Sequence, residues 1–135
     1  MRLIGLLALF SVCLTASAET EIAVFAGGCF RCIEKPYDEL DGVIRTTSGY
    51  TGGSEEDATY EKTSFGKTGH YEAIEIEYDP KKVNYETLLT IFWKNIDPFD
   101  AEGQFCDKGS QYRAAIFVKN AQEKTLAKKS KQSLQ

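Results

Sequence analysis

The sequence has no surplus of basic charge, no apolar run long enough to cross a membrane, and only one histidine. Sixteen Lys and Arg residues stand against twenty Asp and Glu, a formal net charge of −4. Such a chain has no general affinity for nucleic acid or for an anionic membrane surface. Its main apolar stretch, Leu3 to Leu14, is too short for a comfortable membrane span. A zinc centre assembled from Cys29, Cys32, Cys106 and the lone His70 would have four ligands of suitable type. It would lack the second close ligand pair of structural zinc sites. Internal repeats, low-complexity tracts and linkers are also missing, and 135 residues suffice for one domain.

Residues 1–18 read as a secretory signal peptide. Arg2 supplies the positive start, Leu3 to Leu14 the apolar segment, and Ala16-Ser17-Ala18 a small-residue cleavage site. Cys13 follows Val12, a poor fit to a lipoprotein signal. Removal of residues 1–18 leaves 15 basic and 20 acidic residues, a net charge of −5. The expectation is an exported protein, periplasmic or otherwise extracytoplasmic, whose domain occupies residues 19–135. That domain keeps Cys29, Cys32 and Cys106. In an oxidising compartment an odd number of cysteines points to one free or transiently paired thiol.

The stretch from Glu21 to Glu34 organises the rest. Ile22 to Ala26 is a short apolar run fit for one buried strand. Gly27-Gly28 lets the backbone turn through positive φ. Phe30, Ile33, Tyr37 and Leu40 then recur at helical spacing. Cys29 therefore lies at a helix N-terminus, where free backbone N–H groups and the helix dipole favour a thiolate. It reads as reactive rather than structural, with Cys32 close enough to form a redox pair.

Further along, Asp41-Gly42 ends the first helix and Val43 to Ser48 reads as a strand. Gly49 to Gly53 reads as a glycine-rich loop, without the Lys-Ser pair of a phosphate-binding loop. Asp57 to Lys62 suits a short acidic helix, and Gly66 to His70 a turn. In Glu72 to Tyr78, alternation puts Ile74, Ile76 and Tyr78 on one face, and Glu72 falls on that apolar side. A shielded carboxylate has its pKa raised and serves as a general acid, whereas one at a strand's first residue simply reaches solvent; periodicity leaves both open. Asn84 caps a core helix through Lys94 or Asn95, in which Trp93 reads as packing. Phe99 to Gln111 is a long polar loop, Tyr112 to Val118 a strand, and Ala121 onward a lysine-rich helix with a solvated face.

Five separated motifs carry a resemblance. They are Gly27-Gly28-Cys29-Phe30, Gly49-Tyr50-Thr51-Gly52-Gly53, Gly66 through His70 to Tyr71-Glu72, Ile91-Phe92-Trp93 before Asp97-Pro98, and Gly109-Ser110-Gln111-Tyr112-Arg113. In this order they resemble the A-type peptide methionine sulfoxide reductases, which act on the S epimer of methionine sulfoxide. The resemblance implies that Cys29 is the nucleophile and Glu72 the acid. It further implies that Tyr60 and Tyr112 hold the sulfoxide oxygen, that Asp107 belongs to the site, and that Phe30 walls the methyl pocket. Pattern alone singles out neither Tyr60 nor Tyr112 among the seven tyrosines. Attack of Cys29 on sulfur would release methionine and leave a sulfenic acid. A second thiol would close a disulfide for an external dithiol to reduce. The implied partners are oxidised proteins or peptides containing methionine sulfoxide, the free amino acid, and a thioredoxin-like reductant. No resident metal, flavin or nucleotide is implied, and the expected state is a monomer.

Two departures stand out. Arg31 occupies the place of a usual tryptophan in the pocket wall, and relatives continue beyond the helix at which this chain stops, which reads as an incomplete C-terminus. For the resolving thiol, sequence proximity favours Cys32, and placement beside Asp107 favours Cys106. The reading adopted is Cys106 as resolver with Cys32 as relay or alternative. Two rivals remain: a thiol–disulfide oxidoreductase using Cys29 and Cys32 directly, and a binding module whose pocket Arg31 has altered. The first lacks a proline placed to face the cysteine pair, since Pro36 falls in the cysteine helix and Pro80 and Pro98 follow aspartates. The expected architecture is a single α+β domain of ferredoxin-like, two-layer type, with a mixed, largely antiparallel sheet packed by helices.

Overall fold

Strand β1 (Glu21–Ala26) alternates in its burial, with Ala23 and Phe25 sealed on one face and Ile22 open on the other. Strand β3 (Tyr71–Tyr78) does the same with Glu72, Ile74, Ile76 and Tyr78. The two pair antiparallel with Phe25 opposite Ile74 and Ala23 opposite Ile76, which joins their apolar sets on one face. Strand β2 (Val43–Thr51) pairs with the outer side of β3. A short strand β6 (Ala115–Phe117) pairs with the outer side of β1. The order is β2-β3-β1-β6 and each of these pairings is antiparallel. β1 and β2 run parallel, but β3 lies between them.

Helix α1 (Phe30–Asp38) links β1 to β2 and buries Ile33 and Tyr37. Helix α3 (Tyr85–Lys94) links β3 to the later strands and buries Tyr85, Leu88, Leu89 and Phe92. Both cover the same face of the sheet, giving the ferredoxin-like split βαβ plan. Phe25 is the hub, its ring 5.1 Å from Phe92, 6.0 Å from Tyr85 and 6.1 Å from Tyr37 between centroids. The computed structural model describes residues 19–134, so the expected signal peptide of residues 1–18 lies outside the described residues. Among the described residues no helix is long and apolar enough to cross a membrane.

Several boundaries differ from the sequence expectation, each for a physical reason. Strand β2 runs three residues further than Ser48, because Gly49, Tyr50 and Thr51 find partners in Ala73, Glu72 and Tyr71. The acidic helix divides into a 3₁₀ turn (Glu55–Asp57) and a helix α2 (Tyr60–Ser64), for which Thr59 is the N-cap. The long loop contains a small hairpin of β4 (Gly103–Gln104) and β5 (Asp107–Lys108). Strand β6 is shorter than expected. Ala26, the last residue of β1, pairs with Ala115, and β1 turns away at Gly27, so residues 112–114 have no neighbour to join. Tyr112 instead closes a 3₁₀ turn (Ser110–Tyr112). The lysine-rich helix α4 (Ala121–Gln132) is only partly solvated, since Ala127 is buried and the Trp93 indole donates to Ser130 Oγ at 3.0 Å.

Because three aromatic rings close on Phe25, truncation there leaves a cavity that α1 and α3 cannot jointly fill. Phe25→Ala should lower stability by about 3–5 kcal/mol in urea denaturation. A loss below about 1 kcal/mol would show that the hub collapses freely.

Candidate active site

Two glycines with different tasks bring the chain from β1 to the site. Gly28 has φ +89, the region open to glycine. Gly27 needs no positive φ, contrary to expectation. It is required for space, since a Cβ there would come within 2.6 Å of Ile96 Cγ2 and 3.2 Å of the Phe92 ring. After this turn Cys29 is the N-cap residue of α1 and makes no side-chain cap bond. The first helical N–H instead reaches across the sheet: Phe30 N donates to Glu72 Oε2 at 3.3 Å.

That bond decides which of the two readings of Glu72 holds. Glu72 is only 3 % exposed and lies on the helix-covered face, so it does not reach open solvent as a strand-end residue would. Burial raises its pKa, the Phe30 N–H lowers it, and the charge of Asp107 raises it again. The net shift is upward, toward a carboxyl that holds its proton.

A cleft of about 480 Å³ opens above this pair, lined by Cys29, Phe30, Arg31, Tyr60, Glu72, Asp107 and Tyr112. The structure thus gathers every candidate except Cys32 and Cys106 into one wall. Tyr60 comes from α2 and is 68 % exposed. Tyr112 comes from the 3₁₀ turn, which is fastened to the α2 region. The buried Gln111 donates to Ser64 O at 3.0 Å, and Ser110 Oγ donates to Gly66 O at 3.2 Å. Burial, then the charge of Glu72, raises the Tyr112 hydroxyl despite a hydrogen bond from Gln111 that lowers it. It stays a neutral donor. Asp107 is placed by the β4–β5 hairpin. There the buried Gln104 holds Asp97 through both its amide ends at 2.7 Å and backs onto Gly28, where a Cβ would lie 2.7 Å from its own.

Cys32 sits one helical turn beyond Cys29 and is exposed. Burial, then a hydrogen bond with Cys29, then the charges at Cys29, Asp107 and Glu72 push its thiol up. Cys106 is exposed at the two-residue tip of the hairpin, next to Phe105, which adopts φ +51. The hairpin places it at the rim beside Asp107 rather than within the cleft. His70 does not join the cysteines. Its Nδ1 accepts from Gly53 N at 3.2 Å and its Nε2 lies 2.7 Å from Ser54 O, so both ring nitrogens hold the 53–54 turn.

Tyr50 escaped the sequence reading. It stands opposite Glu72 in the β2–β3 register and packs edge-on to Phe30, 6.1 Å between centroids. Burial, then the charge of Glu72, raises its hydroxyl, with Tyr60 and Tyr112 contributing next. Only the strand register could have pointed to it. The arrangement as a whole offers a sulfur nucleophile, a carboxyl shifted toward its protonated form and hydroxyl donors around one small cleft.

Comparison with known proteins identifies a family. The profile of the family described as "Peptide methionine sulfoxide reductase" matches residues 21–135. The chain is 54 % identical over 118 residues to peptide methionine sulfoxide reductase MsrA of Bacillus subtilis (strain 168), a match covering 87 % of this chain and 67 % of that protein. It is 49 % identical over 115 residues to the MsrA of Limosilactobacillus reuteri (strain DSM 20016), covering 85 % and 66 %. Among solved structures, methionine sulfoxide reductase A of Corynebacterium diphtheriae superposes with a TM-score of 0.81 at 32 % identity, over 89 % of this chain and 58 % of that one. The reduced form of Mxr1 from Saccharomyces cerevisiae gives a TM-score of 0.78 at 26 % identity, over 86 % and 68 %. The chain thus spans about two thirds of the length of the curated relatives it matches.

The raised pKa of Glu72 makes a two-sided prediction. A group favoured in its protonated form stabilises the fold below the ordinary carboxylate range and loses that contribution as pH rises through its higher folded value. Glu72→Gln keeps an acceptor for Phe30 N–H without the buried charge. It should lower turnover by about 10²–10⁴-fold, yet gain stability relative to the parent as pH rises toward neutral. Thermal melts of both proteins across pH would show the difference, and parallel pH profiles would refute it.

Proposed function

The chain belongs to the peptide methionine sulfoxide reductase family, and on that premise we propose that its cleft reduces the S epimer of methionine sulfoxide to methionine. The observation that carries this reading is the convergence of Cys29, Glu72, Tyr60 and Tyr112 on one cleft, with Glu72 pushed toward its protonated form.

A sulfoxide sulfur is a poor electrophile until its oxygen is hydrogen-bonded or protonated. The hydroxyls of Tyr60 and Tyr112 hold that oxygen, and Glu72 delivers the proton as charge develops on it. Phe30 walls the pocket for the methyl group, and burial, with the charge of Asp107 after it, favours the protonated form of Glu72. The Cys29 thiolate attacks sulfur and methionine leaves, with the oxygen retained on Cys29 as a sulfenic acid. Cys32, one helical turn beyond Cys29 and pushed toward its thiol form by burial first, condenses with it. That step forms a disulfide and releases water. Cys106, exposed at the hairpin tip, passes the disulfide outward by thiol exchange. In this order Cys32 acts as the relay and Cys106 completes the resolution.

A thioredoxin-like dithiol protein supplies the electrons, and oxidised proteins and peptides are the substrates, consistent with a protein-repair role. The chemistry needs no resident metal, flavin or nucleotide, because sulfur and proton carriers account for each step. We further propose a monomer, exported by residues 1–18 on the pattern Arg2, Leu3 to Leu14 and Ala16-Ser17-Ala18.

With dithiothreitol, the protein should consume only the S epimer of a blocked methionine sulfoxide, and Cys29→Ser should abolish this. Folded protein that consumes neither epimer would overturn the reading. Insulin disulfide reduction without sulfoxide turnover would favour the rival dithiol oxidoreductase. Single-turnover peptide mapping should find a Cys29–Cys32 disulfide in Cys106→Ser. Undiminished disulfide formation in Cys32→Ser would transfer the first step to Cys106.

A further inference from the structure

One charge in the cleft has no part in the chemistry just described. Arg31 lies in the first turn of α1, two residues beyond the nucleophile, and lines the cleft beside Tyr60, Glu72, Asp107 and Tyr112. A methionine sulfoxide side chain has no net charge, and the charge that develops on its oxygen is met by the hydroxyls and Glu72, which leaves Arg31 outside the steps described.

The protein does not neutralise it either. Among the described residues, the ion pairs of arginine and lysine involve Arg45, Lys62, Lys82, Lys108 and Lys119, and Arg31 enters none of them. Glu72 is turned to the Phe30 N–H. Asp107 lines the same cleft without an ion pair to Arg31. Arg31 is exposed, so its guanidinium presents planar, paired donors into a cleft otherwise furnished with acids and phenols. Such a fork matches a carboxylate in two-point geometry better than any other common group.

We propose that Arg31 forms a carboxylate-binding subsite beside the sulfoxide pocket, and that the protein favours methionine sulfoxide bearing a carboxylate within one residue of it. That carboxylate is either the α-carboxylate of the sulfoxide residue itself or an adjacent acidic side chain. The inference rests on the sulfoxide reductase reading and deepens it. In a chain of net charge −4, with Asp107 in the same cleft, an anionic substrate meets repulsion unless a local cation offsets it. Arg31 is the cation in position to do so.

The test compares kinetics on matched substrates. N-acetyl-methionine S-sulfoxide is set against its methylamide, and N-acetyl-methionine S-sulfoxide-glutamyl amide against the glutaminyl amide. The first pair reads the α-carboxylate and the second the neighbouring side chain. At low salt the parent protein should prefer the anionic member of at least one pair by about two- to five-fold in kcat/KM, as exposed ion pairs do. The preference should lie in KM rather than kcat and should shrink in high salt. Arg31→Gln should bring the ratio to one or below, because net negative charge and Asp107 then act alone, and Arg31→Lys should restore part of it.

Equal KM values for charged and neutral members in the parent protein would overturn the subsite while leaving the reductase intact. Absence of turnover on all four substrates would overturn the reductase reading itself. Should Arg31→Gln fail to fold, the salt dependence of the parent ratio still decides. A ratio unmoved by salt refutes the proposal.

Discussion

The site depends on a single hydrogen bond across the sheet, from the Phe30 N–H to the Glu72 carboxylate. Helix N-termini carry unpaired donors and partial positive charge. Here those donors are not capped by the residue that precedes the helix. Cys29 occupies the N-cap position with its side chain uncommitted, and a carboxylate 42 residues distant does the capping. The sulfur is thereby left free at the mouth of the cleft, while the carboxyl is drawn beneath it. One bond sets both the availability of the nucleophile and the location of the acid.

The core makes that bond reproducible. Phe25, sealed among Tyr37, Tyr85 and Phe92, fixes the end of β1 four residues before Cys29. Gly27 then allows the turn to pass against Phe92 and Ile96, where any larger residue would collide. From the other side, the β2–β3 register fixes Glu72 opposite Tyr50. Tyr60, Asp107 and Tyr112 reach the same cleft from short elements, α2, β5 and the 3₁₀ turn, which buried amides tie down: Gln104 for the hairpin, Gln111 for the 3₁₀ turn and α2. Nucleophile and acid therefore stand on sheet and helix, and the remaining groups on struts. Rigid placement matters most where a bond must be attacked along a set direction.

Much of this was legible in the sequence, for identifiable reasons. The strand–glycine–helix signature placed Cys29, alternation placed Glu72 on the apolar face, and Asn84 marked the start of α3; these are local signals with strong periodicity. What stayed hidden depended on long-range pairing. Residues 49 to 51 read as loop because their partners in β3 lie twenty to twenty-four residues further along the chain. Strand β6 read too long because its length is set by where β1 turns, not by its own residues. Tyr50 was passed over because only the register opposite Glu72 distinguishes it from the other tyrosines. The separate task of Gly27 was invisible for the same reason, since Ile96 and Phe92 approach it from another element. The resemblance to a known family filled part of this gap for Tyr60, Tyr112 and Asp107, which composition and spacing could not have selected.

Charge density explains how one cleft can hold a nucleophile, an acid and a reserve thiol together. At Glu72 burial, and after it the charge of Asp107, disfavours ionisation; at Cys32 burial again comes first, followed by Cys29, Asp107 and Glu72. Both shifts run toward the protonated form, at the carboxyl that gives a proton to oxygen and at the thiol that waits for a sulfenic acid. In a solvated pocket neither would be held. Crowding acids around a half-buried sulfur disfavours the folded state at neutral pH. It also leaves Arg31 as the one cation lining a cleft that would otherwise repel every anion.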